Sequence, residues 1–324
     1  MIRYISQRLL ALLPMLLGVT FIAFIIMKAA PGDPVGMFMD PSVNLEDIDR
    51  IRSNLGFDKP ILMQYLMWLK NVLMGNFGYS LISGKPALQA ILERLPATLL
   101  LSVSSLCLIL LITFPLGILC GYKKDTPIDD GITVFSFLGL SMPSFWLGLM
   151  LILLFSYQLD LFPTSGFMNP LLYGEPFYKK AVNILYHMCL PLLTIMIGGI
   201  AGLTRYNRFG IIKILGQDYI TAARARGVSE SRILFKHAFK NILLPIITLL
   251  GLDLPGLISG SYIIEFIFSW PGMGQLAIQS VFQRDYPILM AVILLSSILI
   301  IIGTLIADIC YAYIDPRITK KGKS

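Results

Sequence analysis

Six stretches of this 324-residue chain are apolar over lengths that can cross a bilayer, roughly 9–27, 97–122, 132–157, 188–204, 246–264 and 287–307. That feature narrows the folds open to it more than any other. A spanning helix needs about 20 apolar residues. In hydrocarbon, moreover, every backbone N–H and C=O must be satisfied without water. A mean hydropathy of +0.76 and only 14% charged residues place the chain outside the soluble range. The expected fold class is an all-α membrane protein with six transmembrane helices. The fourth stretch is short and the fifth carries Asp253 and Pro255, so these two have the least certain edges.

The net charge of +7 could indicate a nucleic-acid partner, but its distribution indicates a membrane. With both termini inside, the cytoplasmic segments hold 16 Lys and Arg and the outer ones 10, seven of these in one long loop. This asymmetry predicts an N-in, C-in, multi-pass arrangement in a lipid bilayer, with no nucleic acid involved. Arg3, Arg8 and the apolar run after them resemble a signal peptide, but about 19 apolar residues exceed a usual signal core and predict a retained first span. The boundaries that follow are 1–27 for the N-terminus and first span, 28–96 for a long outer segment, 97–307 for the main transmembrane domain, and 308–324 for a cytoplasmic tail. Within the outer segment, 44–51 reads as a capped helix. Residues 60–74 read as an amphipathic helix with Leu62, Tyr65, Leu66 and Leu69 on one face. Glycines four apart, Gly117 with Gly121, Gly198 with Gly202 and Gly256 with Gly260, permit close helix contact in lipid.

Several chemistries lack their residues. Gly322-Lys323-Ser324 imitates the end of a phosphate loop, but Arg317 stands where its first Gly belongs. His187 and His237 are the only histidines and lie fifty residues apart. Cys107, Cys120, Cys189 and Cys310 have no metal-ligand spacing and read as small apolar residues. The sequence thus predicts no catalytic, cofactor-binding or metal residue, and a protein that is not an enzyme. Asp253 is the one acid deep in a span, a costly position that marks a functional candidate. It can line a path, or hold a broken helix at Pro255. Ser141 is the second candidate for a path.

Between the fourth and fifth spans lies a polar loop, 205–245, with eight basic and two acidic residues over 205–244. Within it, Asp218-Tyr219-Ile220-Thr221-Ala222-Ala223-Arg224-Ala225-Arg226-Gly227 reads as a helix. Asp218 can cap its start, the arginines complement its last turn, and Gly227 can end it in the left-handed conformation. Two turns are too few to stand alone in water, which predicts docking. Ala222 and Ala223 are small enough for a partner to approach the backbone.

This loop resembles the cytoplasmic coupling loop of ABC-importer permeases, whose signature runs Glu-Ala-Ala, three residues, Gly. Thr221-Ala222-Ala223 and Gly227 occupy those positions, with Thr replacing Glu. The Ile-x-Leu-Pro that usually follows is displaced to Ile242-Leu243-Leu244-Pro245. Both departures resemble the dipeptide, oligopeptide and nickel permeases. Pro31-Gly32-Asp33-Pro34, Leu55-Gly56-Phe57-Asp58-Lys59-Pro60, Gly75-Asn76-Phe77-Gly78-Tyr79-Ser80, Glu93-Arg94-Leu95-Pro96-Ala97-Thr98, Trp270-Pro271-Gly272 and Arg284-Asp285-Tyr286-Pro287 are similar to the B-type subunit of those importers. The resemblance implies a permease in a prokaryotic plasma (inner) membrane, importing di- or oligopeptides, with 28–96 as an extracytoplasmic helical cap. It further implies a second homologous permease subunit, two ABC ATPase subunits that carry ATP and Mg, and an extracytoplasmic solute-binding protein. Asp218, Thr221, Ala222, Ala223, Arg224, Arg226 and Gly227 are then the ATPase-coupling residues. A permease for nickel or another small solute is the neighbouring alternative. An ion-coupled secondary transporter is the alternative from another class, with Asp253 as its only intramembrane acid and no visible inverted repeat.

Overall fold

A computed structural model describes residues 2–29, 58–239, 241–243, 246, 249 and 261–314, with side chains from 13 and up to 306. Asp253, the glycine pair 256/260, the 44–51 helix and residues 315–324 of the tail lie outside the described residues. All regular structure among the described residues is helical, apart from an isolated antiparallel bridge between Tyr79 and Pro86. The helices are α1 (Ile2–Ala29), α2 (Ile61–Leu73), α3 (Ala87–Tyr122), α4 (Pro127–Ser141), α5 (Ser144–Leu151), α6 (Phe177–Leu215), α7 (Asp218–Ala225), α8 (Glu230–Arg232), α9 (Tyr262–Ile267), α10 (Met273–Gln283) and α11 (Tyr286–Ile314). π-helical turns extend α5 over Ile152–Gln158 and α8 over Ile233–Ala238.

Helices α3, α6 and the described part of α11, Tyr286–Ile306, are each long and apolar enough to cross a membrane. The third expected span, 132–157, is not one straight helix. Helix α4 meets α5 and its π-helical extension at 101°. The break is local chemistry: Met142 precedes Pro143, which disfavours helical backbone, and Met142 is extended at φ −84°, ψ 123°. Within the spans, 22–39% of the apolar windows is buried inside the chain, so most of that surface is left for lipid or another subunit.

Helices α3 and α6 form the axis of the fold. A methyl added at Gly117 would collide with Asn207, and one at Gly121 with Ile211, so this glycine pair does what its spacing suggests. The pair 198/202 does not. Among the described residues, a Cβ added at Gly198 would meet nothing within 4 Å and one at Gly202 only Leu140 at 3.9 Å, while one at Gly199, between them, would collide with Ile109. The expected face of α2 also shifts. Tyr65 is buried, with Trp68 and Leu69 beside it, whereas Leu62 and Leu66 are exposed. The Tyr65 hydroxyl explains the rotation: it bonds Thr20 Oγ1 at 3.0 Å, so α2 turns toward α1 around a polar contact.

The α3/α6 axis has two ends. At one, the start of α3 packs on α10 and the start of α11 through Ala87, Ile91, Met273 and Ile288, while Phe24, Met27, Tyr65 and Met290 join α1, α2 and α11. At the other, the end of α3 and of α6 meet the segment after α8 through Ile118, Ile211, Ala238 and Ile242.

Candidate functional site

The 218–227 segment sits at the second end. Helix α7 follows α6 after a two-residue turn, and its eight residues present two faces. Ile220 and Ala223 are buried, three residues apart on the side turned to the chain. Thr221, Ala222, Ala225 and Arg226 are exposed. Ala223 is therefore not part of the outward surface expected for it: its small side chain lets α7 lie close to its own bundle.

The helix stop is as expected. Gly227 has φ +76°, its N–H donates to the Arg224 carbonyl at 2.9 Å, and the Val228 N–H donates to the Ala223 carbonyl at 3.1 Å. These paired bonds form a Schellman motif, in which Gly takes the left-handed position without a Cβ penalty. The start differs. Gln217 holds the cap position with extended backbone, and Asp218 is the first helical residue without a side-chain capping bond. Its carboxylate instead lies in the first turn, where the helix dipole favours negative charge.

The two arginines also diverge. Arg224 pairs with Glu230 through Nε–Oε1 at 2.7 Å, and the Arg224 guanidinium holds that carboxyl below the usual carboxylate range. Arg226 turns its Nε back to the Ala222 carbonyl at 3.2 Å. Tyr219 is steadied by Asn241, whose Nδ2 donates to its hydroxyl at 3.1 Å. The platform beneath is braced by Arg208 and Asp129, paired at 2.6 Å through both Nε–Oδ1 and Nη2–Oδ2. Asp129, its side chain 1% exposed, also accepts the Asp125 N–H at 3.1 Å. Helix α4 is thus tied to the 123–126 loop before it and to the stem of α7.

The motifs at the other end interlock. Trp270, fully buried, donates its indole N–H to the Ala97 carbonyl at 2.8 Å. Thr98 donates to Glu265 Oε1 at 2.9 Å and accepts the Met273 N–H at 2.8 Å. Glu265 Oε2 takes the Gly274 and Gln275 N–H groups at 2.7 and 3.2 Å, so a carboxylate from α9 caps the N-terminus of α10. Gly272 allows this approach, since a Cβ there would overlap both Glu265 and Thr98. Asp285 accepts Ser80 Oγ at 2.5 Å and the Leu81 N–H at 3.1 Å, locking the 75–86 loop onto the start of α11.

Sequence reasoning named Thr98 and Asp285 only as members of family motifs and gave no role to Glu265, Asp129 or Arg208. An acid at the edge of an apolar run was the available signal for Glu265; nothing local pairs Asp129 with Arg208 across 79 positions. Ser141 lies at the α4/α5 bend, exposed, with its hydroxyl donated to the Phe137 carbonyl at 2.8 Å. The histidines sit at opposite ends of the axis, with His187 Nδ1 2.9 Å from the Asn183 carbonyl. Among the described residues no three His, Cys, Asp or Glu are grouped to hold a metal.

The described helices that are long and apolar enough to cross a membrane thus carry a short, partly exposed helix seated at the end of α6. The chain belongs to the family of binding-protein-dependent transport system inner membrane components. That family matches residues 113–320, and its N-terminal companion family matches residues 1–102. The chain is 45% identical over 322 residues to the oligopeptide transport system permease protein AppB of Bacillus subtilis (strain 168), covering 98% of this chain and 99% of that one. It is 36% identical over 321 residues to a putative peptide permease protein of Brucella suis biovar 1 (strain 1330), covering 98% and 99%. It is 33% identical over 321 residues to the glutathione transport system permease protein GsiC of Escherichia coli O1:K1 / APEC, covering 99% and 100%. It is an inner-membrane permease, as the sequence resemblance implied.

Proposed function

We propose that this chain is one of two homologous permease subunits of an ATP-driven importer for peptides. It forms half the translocation path and docks one ATPase subunit through α7. ATP and Mg belong to the two ATPase chains, and an extracytoplasmic binding protein delivers the peptide. Support for a peptide cargo comes from the relatives, whose names are oligopeptide, peptide and glutathione permeases. The greater identity to the oligopeptide permease favours oligopeptides over nickel.

The single observation that carries the docking role is α7 itself. It is too short to persist alone, fixed on its inner face by Ile220 and Ala223, closed by Gly227, and open outward at Thr221, Ala222 and Arg226. ATP-driven closure of the ATPases would move this helix and, through the Arg208–Asp129 pair, the α4/α5 limb. A ligand shifts such an equilibrium only by its differential affinity for the two states. The test is co-purification of the ATPase subunits and peptide-stimulated ATP hydrolysis in Gly227→Val. The residue would be strained at positive φ, at a cost of about 1–2 kcal/mol, while the spans still insert. Weak association with a stable membrane subunit is the expected result; parental assembly and coupling would place the docking element elsewhere.

A further inference from the structure

We infer that Leu171, Tyr173, Phe177 and Tyr178 form the surface on which the extracytoplasmic binding protein docks, an inference that rests on the proposed function, which puts α7 on the ATPase side. Helix α6 runs 39 residues from Phe177 to Leu215, and α7 follows its far end, so these four residues lie at the opposite end of the molecule. Their residues are 64–87% exposed. The backbone that carries them is nevertheless held in place. The Gly166 N–H donates to the Phe268 carbonyl at 2.8 Å, and the Tyr186 hydroxyl donates to the Leu161 carbonyl at 2.6 Å. Asn183 Oδ1 accepts the Asn169 N–H at 2.8 Å, and Asn169 Oδ1 accepts the Leu171 N–H at 3.0 Å. The polar groups thus turn inward to fix the loop, and the large apolar side chains are left facing out. Single exposed apolar residues are ordinary, whereas a fixed cluster of them marks a contact surface.

Height decides against lipid as the occupant. The apolar run of α6 begins at Met188, and the helix before it carries Lys179, Lys180, Asn183 and His187, too polar for hydrocarbon. From Met188 back to Phe177 the helix rises about 16 Å. The headgroup layer is only about 5–8 Å thick on each side of a bilayer, so the patch stands clear of it. Area decides against the second permease subunit. At about 150–250 Å² for each aromatic side chain, the four offer on the order of 600 Å². That is half of a transient contact of about 1,200 Å², and far below the 2,000–5,000 Å² of obligate subunit interfaces. The family is binding-protein-dependent, and a carrier that arrives loaded and leaves empty needs a contact of the transient kind. The surroundings complete the pattern of such an interface: an aromatic centre with a polar rim, here Lys180 and the Lys179–Glu175 pair at 2.7 Å.

The test uses the assembled transporter in nanodiscs, with its own binding protein loaded with an oligopeptide and titrated against ATP hydrolysis. Tyr173→Ser/Phe177→Ser changes only exposed side chains, so the subunit should fold and assemble as the parent does. The expected result is an unchanged basal rate, with about ten-fold or more binding protein needed for half-maximal stimulation. A parental half-maximal concentration would overturn the assignment. Photo-cross-linking gives a second reading, with p-benzoylphenylalanine introduced at Phe177. An adduct with the binding protein supports the surface. An adduct with lipid, with the other permease subunit or within the chain itself overturns it, as does the lack of any adduct. The two levels of the account fail differently. A parent transporter that the loaded binding protein does not stimulate would overturn the proposed function and this inference with it. A stimulated parent with an indifferent variant would overturn the docking surface alone.

Discussion

Thr98 holds two groups at once: its hydroxyl proton goes to Glu265 and its lone pair takes the Met273 N–H. Thr98→Val keeps the shape and removes both bonds. Each buried group left unpaired costs about 1–3 kcal/mol. Thermal unfolding in detergent should show a clear loss for Thr98→Val and near-parental stability for Thr98→Ser. Equal stability of the two would mean that the two Thr98 bonds carry no load. Asp129→Asn removes one partner of a pair whose other member, Arg208, is only 18% exposed. Breaking such a pair costs roughly 3–5 kcal/mol where it is fully buried, so the lower end applies here. Reduced peptide-stimulated ATP hydrolysis at retained assembly is the expected phenotype, read from ATPase rates of the purified complex. These residues show why part of the site was hidden in the sequence. A three- or four-residue spacing reveals neighbours on one helix, but Thr98 and Glu265 lie 167 positions apart, and only the folded α3 and α9 bring them together.

At the scale of elements, α7 was legible because its signals are local: an acid in the first turn, arginines in the last and a terminal Gly. Which face it turns outward was not legible, since that depends on the bundle beneath. The structure separates the two alanines sharply. Ala222→Glu lies on the exposed side and should weaken ATPase association while leaving the subunit's own stability unchanged. Ala223→Glu forces a carboxylate into a site that is 4% exposed and should destabilise the subunit itself. Co-purification paired with thermal unfolding distinguishes them, and identical behaviour of the two variants would contradict the observed orientation of α7. The Arg224–Glu230 pair adds a pH statement. The Glu230 carboxyl is held low, so the stabilisation it brings is present above the ordinary Glu value of about 4.3 and is lost as pH falls through the lowered one. Association with the ATPase should therefore show no pH dependence from this pair between about pH 6 and 8, and a Glu230→Gln variant should give a parallel pH profile there. The α4/α5 bend had a local signal too, Met142-Pro143, which an apolar run of spanning length masked.

For the whole molecule, apolar length announced a helical membrane protein, and α3, α6 and α11 meet that expectation. Composition could not announce that α4 and α5 meet at 101°, or that separate motifs close on one another around Glu265 and Asp285. Those are long-range contacts without a period. The proposed N-in, C-in topology predicts that a cysteine at Lys323 is labelled only from the cytoplasmic side and one at Asp49 only from outside; the reverse pattern at either position would defeat it. The central claim is that α7 is the contact through which this permease receives the work of ATP hydrolysis. Its most direct test is cross-linking in the assembled transporter, with Cys107, Cys120, Cys189 and Cys310 replaced and a single cysteine introduced at Ala222. A short bifunctional reagent should join that cysteine to an ATPase subunit, with a yield that changes between nucleotide-free and ATP-bound states. A complex that assembles and transports, yet gives no ATPase adduct from position 222 in either state, would contradict the account.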